Sequence, residues 1–434
     1  MINFVPKSIL KSMQYKKRIA DKLLASKLSR KGAVLIQGAK WCGKTTTAEQ
    51  IAASILYMND PQRVNQNISL AEINPQLLLQ GDNPRLIDEW QLAPSLWDSI
   101  RFEVDHRKEH GLFILTGSAV PPQGETKHSG TGRFSWLTMR PMSLWESQES
   151  DGSVSLADLF NQPAQISGIN KLTLQDIAFV TCRGGWPEAT DMSGDDALEQ
   201  AFDYYEAVVD KDISRADGVH RDSERAKRLM RSYARYQGSM AATTAIRNDM
   251  KVNDTDSLDE ETVASYINAL KKIFVIEDMR AWNPNLRSKT AIRTSDNRYF
   301  TDPSIAVAAM GIGPNDLIND LETFGLMFEA LCVRDLRIYA DVLKGEVYHY
   351  RDKDGLECDA VVHLRNGQYG LIEIKLGGHT KIEEGVETLN ELEKKIDTTR
   401  MKSPSFKMVL TGTESYAYRR KDGVYVVPIG CLKD

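Results

Sequence analysis

The sequence predicts an α/β fold with two sheet-bearing regions, a parallel sheet toward the N-terminus and a hairpin-containing sheet toward the C-terminus. Three observations carry this. Short apolar runs alternate with helical patterns between Ala33 and Ala119. A glycine-rich loop, GAKWCGKT (Gly38–Thr45), joins the first of those runs to a helix. Two alternating strands, ECDAVVHL (Glu357–Leu364) and YGLIEIKL (Tyr369–Leu376), flank Arg365-Asn366-Gly367 near the end of the chain.

AVLIQ (Ala33–Gln37) reads as a buried strand, and TTTAEQIAASI (Thr45–Ile55) reads as a helix. Strand, glycine turn and helix form the context that G-x-x-x-x-G-K-[ST] requires. Gly38, Ala39, Lys40, Trp41, Cys42 and Gly43 form the loop, whose backbone N–H groups can face phosphate oxygens. Lys44 can reach the β- and γ-phosphates, Thr45 can place its hydroxyl on Mg²⁺, and Thr46 follows in the same turn. Cys42 has two readings, a redox switch in the loop or a bystander.

RLIDEWQ (Arg85–Gln91) is an apolar strand that ends in two acids. Asp88 is suited to hold Mg²⁺ through water, and Glu89 to polarise the attacking water, which means hydrolysis as well as binding. Trp97, Ile100 and Val104 then mark one face of a helix that starts at Pro94-Ser95. His106 and His110 on that segment are four apart, but Arg107 and Lys108 between them favour a solvated face over a shared metal. LFILTGSA (Leu112–Ala119) is a further strand. Thr116 and Ser118 at its polar end stand where a γ-phosphate sensor would sit.

Bulk properties bound the rest. A chain of 434 residues suggests roughly three domains. No apolar run is long enough to span a membrane, and MINFVPKSILKSM lacks the apolar centre of a signal peptide, so a cytoplasmic protein is expected. The five cysteines are far apart and form no CxxC pair, against both a disulfide framework and a cysteine zinc site. Net charge is −5, so any nucleic-acid contact has to use local basic patches.

GAKWCGKTT, LIDEWQLAP, FILTGSA and HSGTGR…MRPMSLWE together resemble bacterial and archaeal ATP-binding proteins of the AAA+ class, related to the archaeal-type and STAND ATPases. The resemblance implies a P-loop NTPase core and makes Arg133 of the Gly132-Arg133 element the finger for a γ-phosphate, often supplied from a neighbouring subunit. A homo-oligomer follows if Arg133 acts in trans. RGGWPEA (Arg183–Ala189) is similar to the family's GG-x-P element. By that likeness it opens a helical lid, with Pro187 near the nucleotide and Arg183 as a second sensor.

LEQAFDYYEAVVDKD (Leu198–Asp212) reads as a helix, and a basic run follows it: Arg215, His220, Arg221, Arg225, Lys227, Arg228, Arg231 and Arg235. Three helical segments and an aromatic-bounded ribbon then resemble the winged-helix module of the same family, a module that often binds DNA. Against this, the segment in the recognition position has Asp256 or Ser257 as its cap and Asp259, Glu260 and Glu261 in its first turn. Acids there suit the helix dipole and repel phosphates. The basic run is either a phosphate-tracking surface or a solvated helix.

In the C-terminal strands, alternate residues share a face. A three-residue Arg365-Asn366-Gly367 loop pairs Leu364 with Gln368 and therefore sets Asp359 beside Glu373, with Lys375 one step along. A two-residue Asn-Gly turn would shift that register and split the faces. Facing carboxylates repel unless a cation joins them, and Mg²⁺ suits such a site. Asp359, Glu373 and Lys375 resemble the PD-(D/E)xK restriction-endonuclease-like pattern. That fold adds a helical acid upstream, Glu329 in ETFGLMFEALCVRDLRIYAD, with Glu322 as the weaker choice.

The expected organisation is a P-loop ATPase core at 1–170, a helical lid at 171–213, a winged-helix-like domain at 214–318 and a restriction-endonuclease-like domain at 319–434. The expected cofactors are ATP and Mg²⁺. The expected function is an ATP-hydrolysing protein that couples nucleotide state to a nuclease-like, DNA-directed domain. The alternative is a signalling ATPase whose nuclease-like domain is inactive and binds DNA or a protein. A small-molecule kinase fits poorly with the chain's length, lid and winged helix.

Overall fold

The computed structural model describes residues 15–117, 130–161, 165–251, 258–284, 295–399 and 401–434. Ser118, the Asp256 and Ser257 caps and the opening MINFVPKSILKSM lie outside these residues. Among the described residues no helix is long and apolar enough to cross a membrane.

The N-terminal sheet is parallel and contains β1 (Ala33–Gln37), β2 (Ser54–Tyr57), β3 (Arg85–Asp88), β4 (Phe113–Thr116) and β5 (Phe134–Thr138), in the order β2-β3-β4-β1-β5. Strands such as β4 are buried along their whole length, as sheets covered on both faces demand. The helix after the glycine loop, α1, covers only Lys44–Glu49. It is shorter than the pattern suggested, because Ser54 and Ile55 pair with Arg85 and Leu86 in β2 and β3. Sheet pairing here overrides a helix-permissive alanine-rich sequence. The next expected helix, α2 (Ser95–Arg107), starts at Pro94 and buries Trp97, Ile100 and Val104.

α3 (Leu174–Arg183) and α4 (Gly194–Ala207) form the following helical layer. α4 runs into a π-helical turn, Val208–Asp212. Three helices come next, α5 (Ser223–Arg235), α6 (Thr243–Lys251) and α7 (Glu260–Lys272). They are followed by a ribbon in which Ile276 pairs with Phe300 and Met279 with Asn297. The cap of α7 is Asp259, whose carboxylate accepts from the Thr262 N–H. The sequence pattern places this residue inside the first turn, so the helix starts further on than the pattern suggests.

The C-terminal sheet has seven strands. Upstream of the helical layer lie β6 (Val154–Ser155) and β7 (Gly168–Ile169). Downstream lie β8 (Gly345–Arg351), β9 (Glu357–Leu364), β10 (Tyr369–Lys375), β11 (Phe406–Thr411), β12 (Tyr416–Arg419), β13 (Tyr425–Pro428) and β14 (Leu432–Lys433). The order is β7-β12-β13-β11-β10-β9-β8, and β6 pairs separately with β14. The segment expected to close the first domain at 170 therefore lends β7 to this sheet. α8 (Leu321–Val342) covers the face that carries Ile372, Ile374 and Val362. α9 (His379–Lys395) covers the face that carries Val361, Tyr369 and Leu371.

The β9–β10 register is the three-residue-loop register. Tyr369 pairs with His363 and Ile372 with Ala360. The Leu364 N–H donates to the Gln368 carbonyl at 2.8 Å, and Gly367 closes the turn at φ +82°. Continued by one residue, this register sets Asp359 opposite Glu373.

Candidate functional site

The glycine loop follows β1 at the carboxyl end of the parallel sheet, where open α/β sheets place ligands. Gly38 is required by crowding, since a Cβ there would come 2.0 Å from the Met139 carbonyl oxygen. Lys44 folds over the loop and donates to the Gly38 and Ala39 carbonyls at 3.0 and 2.7 Å. Register brings Thr116 between Asp88 and Ile36. Asp88 Oδ1 accepts from Thr45 Oγ1 at 2.7 Å and from Thr116 Oγ1 at 2.6 Å. The two expected metal-side groups, Thr45 and Asp88, are thus in contact. Glu89 follows at φ +54°, an uncommon conformation for a side-chain-bearing residue. Its Oε2 accepts a short hydrogen bond from Gln91 Nε2. Thr46 is exposed at the rim. Cys42 is fully buried with its thiol toward the Met139 carbonyl. That orientation gives an oxidant no access and supports the bystander reading.

The helical layer touches this loop directly. A Cβ on Gly43 would lie 3.4 Å from Pro187 Cγ, so Pro187 does stand against the loop. Lys40 Nζ reaches Asp212 Oδ1 at 2.5 Å, at the π-helical turn. Trp41 meets Tyr204 edge-on, and Tyr204 stacks on Trp186 with centroids 4.2 Å apart. Arg183 departs from its expected sensor role. It is 4% exposed and held by Glu149 and the Gly184 carbonyl. Sequence reading missed Arg18, which donates to the Cys42 carbonyl at 2.8 Å and pairs with Glu146. No motif announces it.

Arg133 lies at the other end of the sheet. Phe134 pairs with Ala33, so Arg133 precedes the first residue of β1 while the loop follows the last. At about 3.3 Å per residue the five-residue strand puts roughly 16 Å between them. Arg133 is exposed and paired with Asp105 at 2.7 Å. His106 and His110 contact the Phe102 and Ser29 carbonyls through Nδ1.

The second cluster lies where β9 and β10 meet. Lys375 Nζ contacts Asp359 Oδ2 at 3.1 Å and Glu373 Oε2 at 2.7 Å. Asp359 Oδ2 also accepts from the Ile374 N–H at 2.7 Å. Gly385 of α9 permits close approach, with a Cβ there only 3.3 Å from Glu373 Cβ. Glu373 is 3% exposed, and its Oε1 has no hydrogen-bond partner. Burial and the charge of Asp359 push its carboxyl up to about 8, against the pull of Lys375. Burial opposes the Lys375 charge, but Asp359 and Glu373 outweigh it and hold the ammonium above its ordinary value.

Glu329 does not complete a three-acid set. It accepts a short hydrogen bond from Tyr299 Oη, on the ribbon that follows α7. Among the described residues no group of three His, Cys, Asp or Glu side chains is placed to hold a metal ion. Glu329 lies on α8, which covers the opposite face of the sheet from Glu373, and its carboxylate is held by Tyr299. Glu322 is exposed in the first turn of α8.

Desolvation and the Asp359 charge push the Glu329 carboxyl from its ordinary 4.5 up to about 8. A carboxyl raised on folding contributes stability that is complete below about 4.5 and lost as pH rises through about 8. Glu329→Gln removes one such group and keeps an acceptor for Tyr299. The drop in Tm between pH 6 and pH 9 should therefore shrink by roughly 2–4 °C. An unchanged drop would count against the placement of Glu329.

Comparison with known proteins agrees with the first cluster. Residues 30–148 match the family model described as an AAA domain. Residues 174–316 and 324–432 match two domains of unknown function, DUF8612 and DUF4143. Proteins of Mycobacterium tuberculosis (Rv2008c) and Mycobacterium bovis (Mb2031c) are each 24% identical over 374 residues, covering 85% of this chain and 76% of theirs. Among solved structures, the Walker-type ATPase PABY2304 of Pyrococcus abyssi shares 14% identity with a TM-score of 0.39, covering 67% of this chain and 94% of its own. The Orc1 protein of Aeropyrum pernix, solved in complex with DNA, shares 14% identity with a TM-score of 0.23, covering 71% and 94%. With a phosphate loop, a strand-end Asp-Glu pair and the AAA match on the same sheet, residues 30–148 form an AAA-type ATPase domain.

Proposed function

We propose that this protein is an ATP-driven switch whose nucleotide state acts on a nuclease-like C-terminal site directed at DNA. The observation that carries the C-terminal half is the β9–β10 register, which sets two carboxylates and a lysine on one face, with a buried Glu373 oxygen left unpartnered. An orphaned buried acceptor beside a second carboxylate suits a divalent cation. Asp359 and Glu373 would hold it, and Glu329 would join after release from Tyr299. When bound, the cation would neutralise charge on a scissile phosphate and acidify a water. Lys375 would orient the phosphate or that water. In the ATPase domain, Thr45 and Asp88 would hold Mg²⁺, Lys44 would turn from the loop carbonyls to the phosphates, and Glu89 would take the proton of the attacking water.

Coupling has a physical route. The Gly38 backbone abuts Met139. Arg140, the next residue, pairs with Asp341 at 2.7 Å and with Glu277 at 2.6 Å. Asp341 lies on α8, and Glu329 lies on the same helix about 18 Å away. A shift of the phosphate loop is thereby transmitted to the Glu329 end of a rigid helix. Arg133, exposed at the far end of the sheet, fits a finger that serves a neighbouring copy's nucleotide.

α5 to α7 and their ribbon fit a winged-helix-like module. Arg221 leaves the proposed basic surface, since it is 4% exposed and bound to Asp217. Arg231 on α5 and Arg215 just before it remain exposed, and Arg235 is exposed but bonded to Asp249. They favour phosphate contact along α5, away from the acidic start of α7.

The second reading, a silent module that binds DNA or protein, is favoured by the Lys375 bridge and the Tyr299–Glu329 contact. One assay separates the two. The full chain is incubated with single- and double-stranded DNA and RNA, with Mg²⁺ or Mn²⁺, with and without ATP. Cutting that Asp359→Ala and Lys375→Ala each abolish, with ATP turnover intact, supports the nuclease. No cutting by the parent under any of these conditions leaves the silent module.

A further inference from the structure

The side chain beside the candidate base has a role that the phosphate-loop motifs do not specify. Gln91 is the middle residue of the short 3₁₀ turn Trp90–Leu92 just past β3. Its Nε2 donates to Glu89 Oε2. Its Oε1 is buried and has no hydrogen-bond partner. That oxygen lies against the end of β4, where a Cβ on Gly117 would come within 2.2 Å of it. Gln91 thus bridges the ends of β3 and β4, with its donor on the candidate base and its acceptor unpartnered. A buried amide oxygen without a donor is costly unless a ligand or water supplies one.

We infer that Gln91 is a positioning residue for ATP hydrolysis, resting on the reading of Glu89 as the base. Its Nε2 fixes the Glu89 carboxylate in the left-handed backbone position. A small displacement of the amide from Gly117 opens Oε1, which then accepts one hydrogen bond from the attacking water, while Glu89 accepts the other. The water oxygen forms a bond to the γ-phosphorus and its proton passes to Glu89. The bond from the γ-phosphorus to the bridging oxygen breaks, and that oxygen leaves with the electron pair on ADP. With two acceptors the water has one lone pair aimed at phosphorus, an orientation that a single carboxylate does not impose. The φ of +54° at Glu89 also gains a reason, because it turns the side chain toward Gln91.

The test uses the full chain, steady-state ATP turnover across pH 5.5–9 and equilibrium binding of a non-hydrolysable ATP analogue. Gln91→Leu should lower kcat by about 10²-fold with analogue affinity within about twofold of the parent. Gln91→Glu retains an acceptor but donates to Glu89 only when protonated. Its activity should therefore be highest at low pH and fall as pH rises, moving the optimum below that of the parent. A purely structural role would not lower kcat in Gln91→Leu while leaving analogue affinity intact. Glu89→Gln, measured alongside, separates the two readings. Parental turnover in Glu89→Gln removes the base itself. A slow Glu89→Gln together with a parental or faster Gln91→Leu, or an unmoved optimum in Gln91→Glu, overturns the role of Gln91.

Discussion

Glu89→Gln should bind ATP as tightly as the parent and hydrolyse it about 10²–10⁴-fold more slowly, the usual contribution of a positioned general base. Binding belongs to other groups: the loop backbone, Lys44 and the Thr45–Asp88 pair, none of which contacts the Glu89 carboxylate. Glutamine keeps the size of the side chain and its contact with Gln91, but it cannot take a proton from water. The loss should thus appear in kcat with KM little changed, as for a group that acts in the transition state. Lys44→Ala should give the complementary result, with tight binding lost. Equal turnover in Glu89→Gln and parent would remove the assignment of the base, and unchanged affinity in Lys44→Ala would remove the nucleotide site.

Arg334→Ala should destabilise the protein by about 3–5 kcal/mol, as expected when one partner of a buried ion pair is removed. Its guanidinium is 1% exposed at the side chain and bonds Asp302 Oδ2 at 2.9 Å and Asp335 Oδ1 at 2.8 Å. Those carboxylates in turn hold the Gly185 N–H at 3.0 Å and the Leu144 N–H at 2.9 Å. One arginine therefore joins α8 to the GG-x-P turn and to the segment after β5. Burial pushes the Asp335 carboxyl up to about 6 even with Arg334 present. A group raised on folding contributes most below its unfolded value and loses that contribution as pH passes the folded value. Without the arginine the Asp335 carboxyl rises further, so the variant's deficit should be larger at pH 8 than at pH 5. Urea unfolding at the two pH values checks this; equal deficits would count against this account of Asp335.

Legibility differed by site. The phosphate loop and the Asp-Glu pair are contiguous in sequence, and the backbone geometry that presents each is set within a few residues. Their places after β1 and at the end of β3 were therefore readable without a fold. The β9–β10 hairpin was readable because a short loop transmits register arithmetic across the turn, and Gly367 selected the loop. The end of α1 was misread because alanine and threonine are compatible with both helix and strand, and pairing with β3 decided it. Arg183 was assigned by likeness to a sensor role, yet Glu149, 34 positions upstream, captures it.

Local chemistry thus determined which candidate groups this chain offers for nucleotide binding and hydrolysis, and which two carboxylates share a face with Lys375. Tertiary structure alone decided where those groups point. It set Arg133 at the far end of the sheet from its own loop, turned Glu329 to Tyr299, joined Lys40 to Asp212, and ran α8 from Arg140 to the C-terminal cluster. The physical reason is separation along the chain. A motif constrains neighbours whose backbone geometry it sets, whereas a charge seeks whichever opposite charge folding brings within reach.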